Sequence, residues 1–224
     1  MASADRGTSS SMIDRICAAA VELLSLSGAG LSLMVDGELR GTAGVSEPGI
    51  AAVQELQLTL GEGPCVDAWR RMEPVLEADL ANPEHTRWPA FAEAGVPAGV
   101  RAVFAFPLQL GAVALGVLAL YRDCPAPLGD EEIALGLVLA EVATQTILGL
   151  QAGAPSDELH VLLADEPAHW AEIHQATGIV SAQLGVSLDE AFVRLRSYAF
   201  ANDRALREVA EDVVARRLRL PGPA

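Results

Sequence analysis

Among the cysteines of this sequence, Cys65 is the best candidate for a reactive side chain. It follows Gly63-Pro64, where a helix is predicted to begin. A helix N-terminus can lower the pKa of a thiol, which would suit a redox sensor or a point of ligand attachment. The alternative, favoured from residue type, is a buried small apolar residue. The other cysteines are Cys17 and Cys124, and no CxxC pair occurs, so the pattern indicates neither a disulfide framework nor a zinc site.

A second group of reactive side chains is cationic and lies near the C-terminus. Its members are Arg194, Arg196, Arg204 and Arg207. A guanidinium can hold a phosphate through two parallel hydrogen bonds, and the ring of nearby Tyr198 could stack on an unpaired base. The same arginines also suit a solvated helix surface, because Glu190 and Arg194 form an (i, i+4) pair that stabilises a helix. Residue chemistry alone favours the solvated surface.

Composition limits the function classes. The chain has 224 residues, is 51% hydrophobic and 20% charged, and carries a formal net charge of −15. These are globular values, and such an acidic chain is not a general polyanion binder. The longest uncharged apolar stretch, 103–121, is interrupted by Pro107 and two glycines, so no membrane span is predicted. The N-terminus lacks a signal-peptide pattern, and we expect a cytoplasmic protein.

The first two thirds of the chain must position Cys65, and its pattern predicts an α+β domain. Asp36-Gly37 is a strong hairpin signal between two short alternating segments. A second pair of strands is predicted around Gly111. Helices are predicted at 12–26, 51–60, 87–94 and 130–151, and strands at 31–35, 39–44, 75–76, 102–110 and 113–121. Their order indicates a mostly antiparallel sheet flanked by helices.

The last third positions the arginines and shows only helical periodicity. We predict helices from Glu166 to Leu184, from the Ser187 cap onward, and from a cap at Asn202 or Asp203. Three short amphipathic helices bury their apolar faces against each other, which indicates a small all-α module. The predicted organisation is a disordered tail (1–10), a sensor-like domain (11–152), a linker (153–164) and the helical module (165–220).

Both parts resemble known families. The helical module resembles the ANTAR family through His174-Gln175-Ala176-Thr177-Gly178, Leu184-Gly185-Val186, Asp189-Glu190-Ala191, Leu195-Arg196, Tyr198-Ala199 and Leu206-Arg207-Glu208-Val209-Ala210. The first domain resembles the GAF domain of actinobacterial GAF–ANTAR regulators through Leu60-Gly61-Glu62-Gly63-Pro64-Cys65, Asp79-Leu80, Arg87-Trp88-Pro89, Gly99-Val100-Arg101 and Phe106-Pro107-Leu108.

The resemblance implies an RNA-binding transcription antitermination regulator. ANTAR modules bind paired short-looped hairpins in nascent RNA, usually as dimers, and GAF domains sense small molecules or dimerise. Mid-helix Gly178 costs about 1 kcal/mol relative to Ala, which suggests close backbone approach, by another helix or by RNA. The implied RNA-binding residues are His174, Gln175, Thr177, Gly178, Ser181, Arg194, Arg196, Tyr198, Asn202, Arg204 and Arg207. For Asn202, capping is the plainer role, and Tyr198 is at least half core by its register.

Two other functions remain open at this point. A GAF-type free methionine sulfoxide reductase would require cysteines that converge on one pocket, and a DNA-binding regulator would require a basic face. We predict no catalytic set, no metal and no cofactor. The predicted partners are tandem RNA stem-loops, a second copy of the chain, and an unidentified small-molecule ligand of the GAF domain, with no membrane. The homodimer is expected to form through the wide apolar faces of the helices at 12–26 and 130–151.

Overall fold

The computed structural model of the protein describes residues 12–35, 38–82, 87–111, 113–153, 168–202 and 204–221. The chain divides into two compact units, with the main division after Leu150. Up to Gly153 it mixes helices with one sheet, and from Ala168 onward its described residues form only helices. The predicted tail 1–10, most of the predicted linker and the Asp36-Gly37 turn lie outside the described residues.

The first part of the chain confirms the predicted α+β class. Its elements are α1 (Met12–Leu24), β1 (Gly28–Val35), β2 (Glu38–Val45), α2 (Pro48–Leu60), α3 (Pro64–Arg71), β3 (Val75–Glu77), α4 (Pro89–Gly95), β4 (Ala102–Leu110), β5 (Val113–Arg122) and α5 (Asp130–Gly153). Two helices begin elsewhere than predicted. Proline explains both, because it fits the first turn of a helix: α2 begins at Pro48 and α4 at Pro89.

The five strands form one antiparallel sheet in the order β2-β1-β5-β4-β3. Sequence neighbours pair as hairpins, with Val35 opposite Glu38 and Leu110 opposite Val113. Pro107 is tolerated in β4 because β3 is short. The β3–β4 pairing extends only from Glu77 opposite Val103 to Val75 opposite Ala105, so β4 is an edge strand where the proline lies.

The two faces of the sheet bury different kinds of residue. On one face, large apolar side chains pack against α1 and α5: Leu31, Phe104, Phe106, Leu108, Leu118 and Leu120. The residues that alternate with them point to the other face: Gly28, Gly30, Ser32, Val117, Ala119 and Tyr121. Helix α2 covers that second face, since a Cβ at Gly28 would overlap Ile50 and one at Gly30 would overlap the Gln54 amide. Helix α3 contacts β3, β4 and β5.

Within the part of the chain that the structure describes, one helix is long and apolar enough to cross a membrane by length and composition alone, namely α5 over Asp130–Leu150. This is weak evidence for a span, because the core helix of a soluble domain passes the same test. Four of its residues, Leu139, Ala140, Ala143 and Ile147, belong to the core beneath the sheet. The apolar character of α5 therefore has a packing explanation on one side.

The second unit is a trio of mutually contacting helices: α6 (Ala168–Leu184), α7 (Leu188–Ala201) and α8 (Leu206–Val214). Their shared core contains Ile173, Ala176, Val180, Ala191, Leu195, Ala199, Leu206, Val209, Ala210 and Val213. Helix α6 ends at Gly185, whose φ of 68° suits glycine at a helix C-terminus. The predicted Ser187 cap is present, since its side chain accepts a hydrogen bond from the Glu190 N–H.

The predicted cap of the third helix is wrong. Helix α8 has Ala205 at its N-cap, without a side-chain cap hydrogen bond. Asn202 instead closes the preceding helix, because its side-chain amide donates to the Tyr198 carbonyl over 2.8 Å. The other predicted cap, Asp203, lies outside the described residues.

Candidate functional site

The predicted RNA-binding residues of α6 separate into exposed and buried positions. His174 and Gln175 are exposed, and Gly178 is half-buried on the same side of the helix, one turn further on. Ser181 is also half-buried, and its hydroxyl donates to the Val186 carbonyl over 2.7 Å. Thr177 was predicted to belong to the RNA-binding surface, but its side chain is buried. It is only 7% exposed, and its hydroxyl donates to the Ile173 carbonyl.

Gly178 has open space around it. A Cβ built at this position would meet no described atom within 4 Å. Packing against another helix of this unit therefore does not explain a glycine in the middle of α6. The glycine costs the helix about 1 kcal/mol relative to Ala, and no intramolecular contact in the described chain offsets that cost.

Arg194 and Arg207 pair with acidic neighbours on the surface of the helical unit. Arg194 bonds Glu190 at 2.6 Å, and Arg207 lies 3.5 Å from Glu211. Exposed pairs of this kind contribute about 0–1 kcal/mol, so a phosphate can replace the carboxylate at low cost. The ring of Phe192 lies 5.7 Å beneath the guanidinium of Arg196.

Arg204 has a structural partner as well. Its guanidinium bonds the Asp212 carboxylate at 2.7 Å, and Arg217 bonds the other oxygen of the same carboxylate. The hydrogen bond from Arg204 holds the pKa of Asp212 below its usual value, and the bond from Arg217 acts in the same direction. The Arg204–Asp212 ion pair therefore links the residues before α8 to the end of that helix. The other predicted residue in this region, Tyr198 at the end of α7, is half-buried.

In the first unit, Cys65 lies in a buried polar cluster that the sequence did not predict. Its backbone N–H donates to Gln57 Oε1 over 2.8 Å, and Gln57 Nε2 lies 3.1 Å from its sulfur. Gln57 also donates to the Tyr121 hydroxyl over 3.3 Å, and that hydroxyl donates to Gln54 Oε1 over 3.1 Å. The sequence signal for this cluster was faint: two glutamines three residues apart on the buried side of α2.

The environment of Cys65 opposes ionisation of its thiol. Burial raises the pKa of Cys65 to about 12, against 9.0 for an ordinary thiol, and burial also raises the pKa of Tyr121 well above its usual value. The helix-start effect considered from the sequence is thus outweighed by desolvation. Cys17 belongs to the core on the opposite face of the sheet, and Cys124 is exposed. The three cysteines do not converge as a reductase would require.

Two polar atoms on the cluster side of the sheet lack a hydrogen-bond partner. They are Ser32 Oγ and Gln54 Nε2, and both side chains are only 1% exposed. An unsatisfied buried polar group costs about 1–3 kcal/mol, and such groups are rare. Among the described residues, no group of three His, Cys, Asp or Glu side chains is placed to hold a metal ion.

The turn that precedes Cys65 assembles this region. Gly63 has a φ of 133°, and a Cβ there would lie 2.5 Å from Gln57 Oε1. Glycine is therefore required both by the backbone and by the approach of the glutamine. The carboxylate of Glu62 accepts the N–H of Phe91 over 3.0 Å and so satisfies the first turn of α4.

Comparison with known proteins agrees with this description. A GAF-domain family model matches residues 8–147 and an ANTAR-domain model matches residues 163–214. No curated protein matches the chain.

Solved structures resemble the first unit in fold. A domain described as part of a two-component sensor histidine kinase protein from Sinorhizobium meliloti has 20% identity and a TM-score of 0.51, over 62% of this chain and 90% of that one. A GAF domain region of a protein from Geobacter sulfurreducens has 17% identity and a TM-score of 0.50, over 61% of this chain and 90% of that one. The family matches and the sheet topology lead to one conclusion: the chain belongs to the GAF-domain family and carries an ANTAR domain after its GAF domain.

Proposed function

We propose that this protein is a cytoplasmic, non-enzymatic transcription antitermination regulator that binds paired RNA hairpins through its helical unit, under control of the GAF unit. The ANTAR match over 163–214 and the open space next to Gly178 support this proposal. Glycine at an open mid-helix position is unfavourable for folding, so a requirement outside the fold explains it better than packing does. Close approach of an RNA backbone is such a requirement.

The proposed interface uses the exposed side of α6 and the ends of α7 and α8. His174 and Gln175 offer hydrogen bonds to base edges beside Gly178. Arg194, Arg196 and Arg207 supply guanidinium groups for phosphates, and Tyr198 supplies a ring edge. Thr177 is left out because it is buried, and Asn202 and Arg204 are assigned to the support of α7 and α8.

The decisive experiment uses Gly178→Ala in the full-length protein. Total RNA from the host is crosslinked to the wild type and sequenced, and a recovered RNA is then used in binding titrations at fixed salt. We expect Gly178→Ala to raise the free energy of unfolding by about 0.5–1 kcal/mol yet weaken RNA binding at least about tenfold. The matched control is Gly149→Ala in α5, which also meets open space and should leave RNA binding unchanged.

Arginine variants test the same interface through charge. Arg196→Ala and Arg207→Ala should each weaken binding by about tenfold, because each removes a charge-assisted hydrogen bond. Arg70→Ala, an exposed residue of α3, makes the same charge change in the GAF unit and serves as the control. Recovery of no tandem stem-loops, or equal affinity for duplex DNA, would reject the proposal.

We further propose that the protein is a homodimer. The outward sides of the two helices that cover the apolar sheet face carry exposed apolar residues: Met12, Leu23, Leu137, Val138 and Val142. A second copy of the same surface is the occupant we infer, since two-fold pairing would bury both stripes at once. Light scattering at micromolar concentration should give twice the chain mass of 23.4 kDa, and Val138→Glu should return it to the monomer value.

A further inference from the structure

The chain turns back sharply after α8. The Arg216 N–H donates to the Val213 carbonyl over 3.0 Å, and the Arg217 N–H donates to the Asp212 carbonyl over 2.8 Å. These two hydrogen bonds form a Schellman motif, in which the residue at the turn takes a left-handed conformation. Arg216 is that residue, with a φ of 59°.

Arginine is an unfavourable residue at this turn. The left-handed conformation brings Cβ too close to the following carbonyl oxygen, so glycine is the usual residue there. Helix α6 ends in the usual way, at Gly185. The guanidinium of Arg216 does not offset the cost by bonding elsewhere in the described chain, since it is exposed and has no hydrogen-bond or ion-pair partner there. A requirement outside the fold therefore explains Arg216 better than the turn does.

The residues from this turn onward, 216–220, form a C-terminal strap with a defined course. Leu220 is only 4% exposed, and its carbonyl accepts a hydrogen bond from Gln183 Nε2 over 2.7 Å. At the other end of the strap, Arg217 Nε donates to the Asp212 carboxylate over 2.7 Å. The C-terminal strap is thus attached both to the end of α8 and to the last turn of α6.

The C-terminal strap carries a dense positive charge. Three of its five residues are arginine, in a chain whose formal net charge is −15. Arg217 is paired with Asp212, whereas Arg219, like Arg216, is exposed and has no such partner in the described chain. Two guanidinium groups are therefore presented to solvent from an anchored segment. A guanidinium holds a phosphate through two parallel hydrogen bonds.

The attachment point of the C-terminal strap lies near the proposed RNA-binding residues of α6. Gln183 is eight residues beyond Gln175, which places it about 12 Å further along the helix and less than a quarter turn around it. Gly178 is nearer, at a rise of about 7.5 Å. Arg219 precedes Leu220, the residue that Gln183 holds. The C-terminal strap therefore extends the surface that includes Gln175 and Gly178.

We propose that the C-terminal strap is a phosphate-binding part of the RNA interface, in which Arg216 and Arg219 bind backbone phosphates of the RNA that contacts α6. The inference rests on the proposed function, and it adds a segment beyond the ANTAR match, which ends at residue 214. Phosphate contacts carry no sequence information directly, so these arginines supply affinity and orientation and leave base recognition to α6. Arg217 and Leu220 position them.

The test is the salt dependence of RNA binding by the full-length protein, with an RNA recovered by crosslinking. Each lost phosphate contact reduces the slope of log Kd against log salt by about 0.7–0.9. We expect this reduction in Arg216→Gly and in Arg219→Ala, each with about fivefold weaker binding at fixed salt. The matched control, Arg70→Ala, removes an exposed guanidinium from the GAF unit and should keep the wild-type slope. Wild-type slopes in both strap variants would overturn the proposal.

A stability measurement separates this role from a role in ending α8. Arg216→Gly removes the unfavourable left-handed arginine, so hydrogen exchange of the α8 amides should become about threefold slower while RNA binding weakens. If Arg216 served the fold instead, through attraction of its charge to the helix C-terminus, this variant would exchange faster and bind RNA like the wild type. That result would also overturn the proposal.

Failure of this proposal is distinguishable from failure of the proposed function. If the wild type binds tandem stem-loops and the strap variants keep its salt slope, only the role of the C-terminal strap is rejected. If the wild type binds no RNA, both proposals are rejected. If the strap variants lose affinity only for polyglutamate, used as a probe for an acidic protein, the C-terminal strap binds protein and the proposal is wrong.

Discussion

The two faces of the central sheet are made by the same strands, yet they bury different kinds of side chain. One face packs Phe104, Phe106 and Leu118 against α1 and α5 and has the composition of an ordinary core. The other packs Gly30, Ala119 and Ser32 against α2 and buries a hydrogen-bonded cluster of two glutamines, a tyrosine and a cysteine. We therefore expect the first face to contribute more than the second to the free energy of unfolding.

The largest expected effect breaks the apolar face. Phe106→Ala removes a fully buried ring that a Cβ at Gly136 would approach to 2.5 Å, so the ring is closely packed against α5. We expect a loss of about 3–5 kcal/mol in the free energy of unfolding of the GAF unit, measured by urea denaturation. Leu110→Ala, whose side chain is 53% exposed, should change it by less than about 0.5 kcal/mol. A small effect of Phe106→Ala would mean that this face is not the main source of stability.

A smaller loss is expected from the polar face. Tyr121→Phe keeps the ring but removes the hydroxyl that donates to Gln54 and accepts from Gln57, so each glutamine loses one buried hydrogen bond. The expected cost is about 1–3 kcal/mol in the same urea experiment. The only other tyrosine is the half-buried Tyr198, and Tyr198→Phe should cost less than this. If Tyr121→Phe leaves the free energy of unfolding unchanged, the cluster is not needed for folding.

The effect that is smallest near neutral pH is a change in the pH dependence of stability. Because the pKa of Cys65 is about 12 in the folded protein and 9.0 for the ordinary thiol, the folded state keeps a proton that the unfolded state releases. The stabilisation is complete below pH 9 and is lost as the pH rises towards 12, by up to about 1.4 kcal/mol per pH unit. Urea unfolding at pH 8, 10 and 11 should show a shallower decline for Cys65→Ala than for the wild type.

Two other cysteines calibrate this measurement. Cys17 is also buried, with its pKa raised to about 12, and should contribute a similar slope. Cys124 is exposed, and Cys124→Ala should reproduce the wild-type decline. An unchanged slope in Cys65→Ala would indicate that its thiol is accessible to water in the folded protein.

Local patterns predicted much of the secondary structure because the relevant interactions lie within a few residues. Alternation and Asp36-Gly37 marked the first hairpin, and two apolar segments around Gly111 marked the second. Ser187 was identified as a cap from a carboxylate three residues later. The start of α8 was predicted wrongly for a physical reason. Asn202 has two local options, and its amide bonds the end of α7 instead of the start of the next helix.

The sites were predicted less completely than the elements. Helical periodicity placed His174 and Gln175 on the surface side of α6 but did not exclude Thr177, whose hydroxyl is satisfied by its own helix. The paired state of Arg204 depends on Asp212, eight residues away, and on the turn that brings Arg217 back. Sequence spacing alone cannot predict such a network, in which two arginines bond one aspartate.

By itself, the sequence determined the class of each unit, the positions of the hairpins and the family motifs, because periodicity, turn residues and caps act over short distances. Only the tertiary structure decided what Cys65 does. Its partners Gln57 and Tyr121 are 8 and 56 residues away in the chain, and they meet only when α2 and α3 close over the sheet. Burial then determines the protonation of the thiol, and burial is a property of the whole fold.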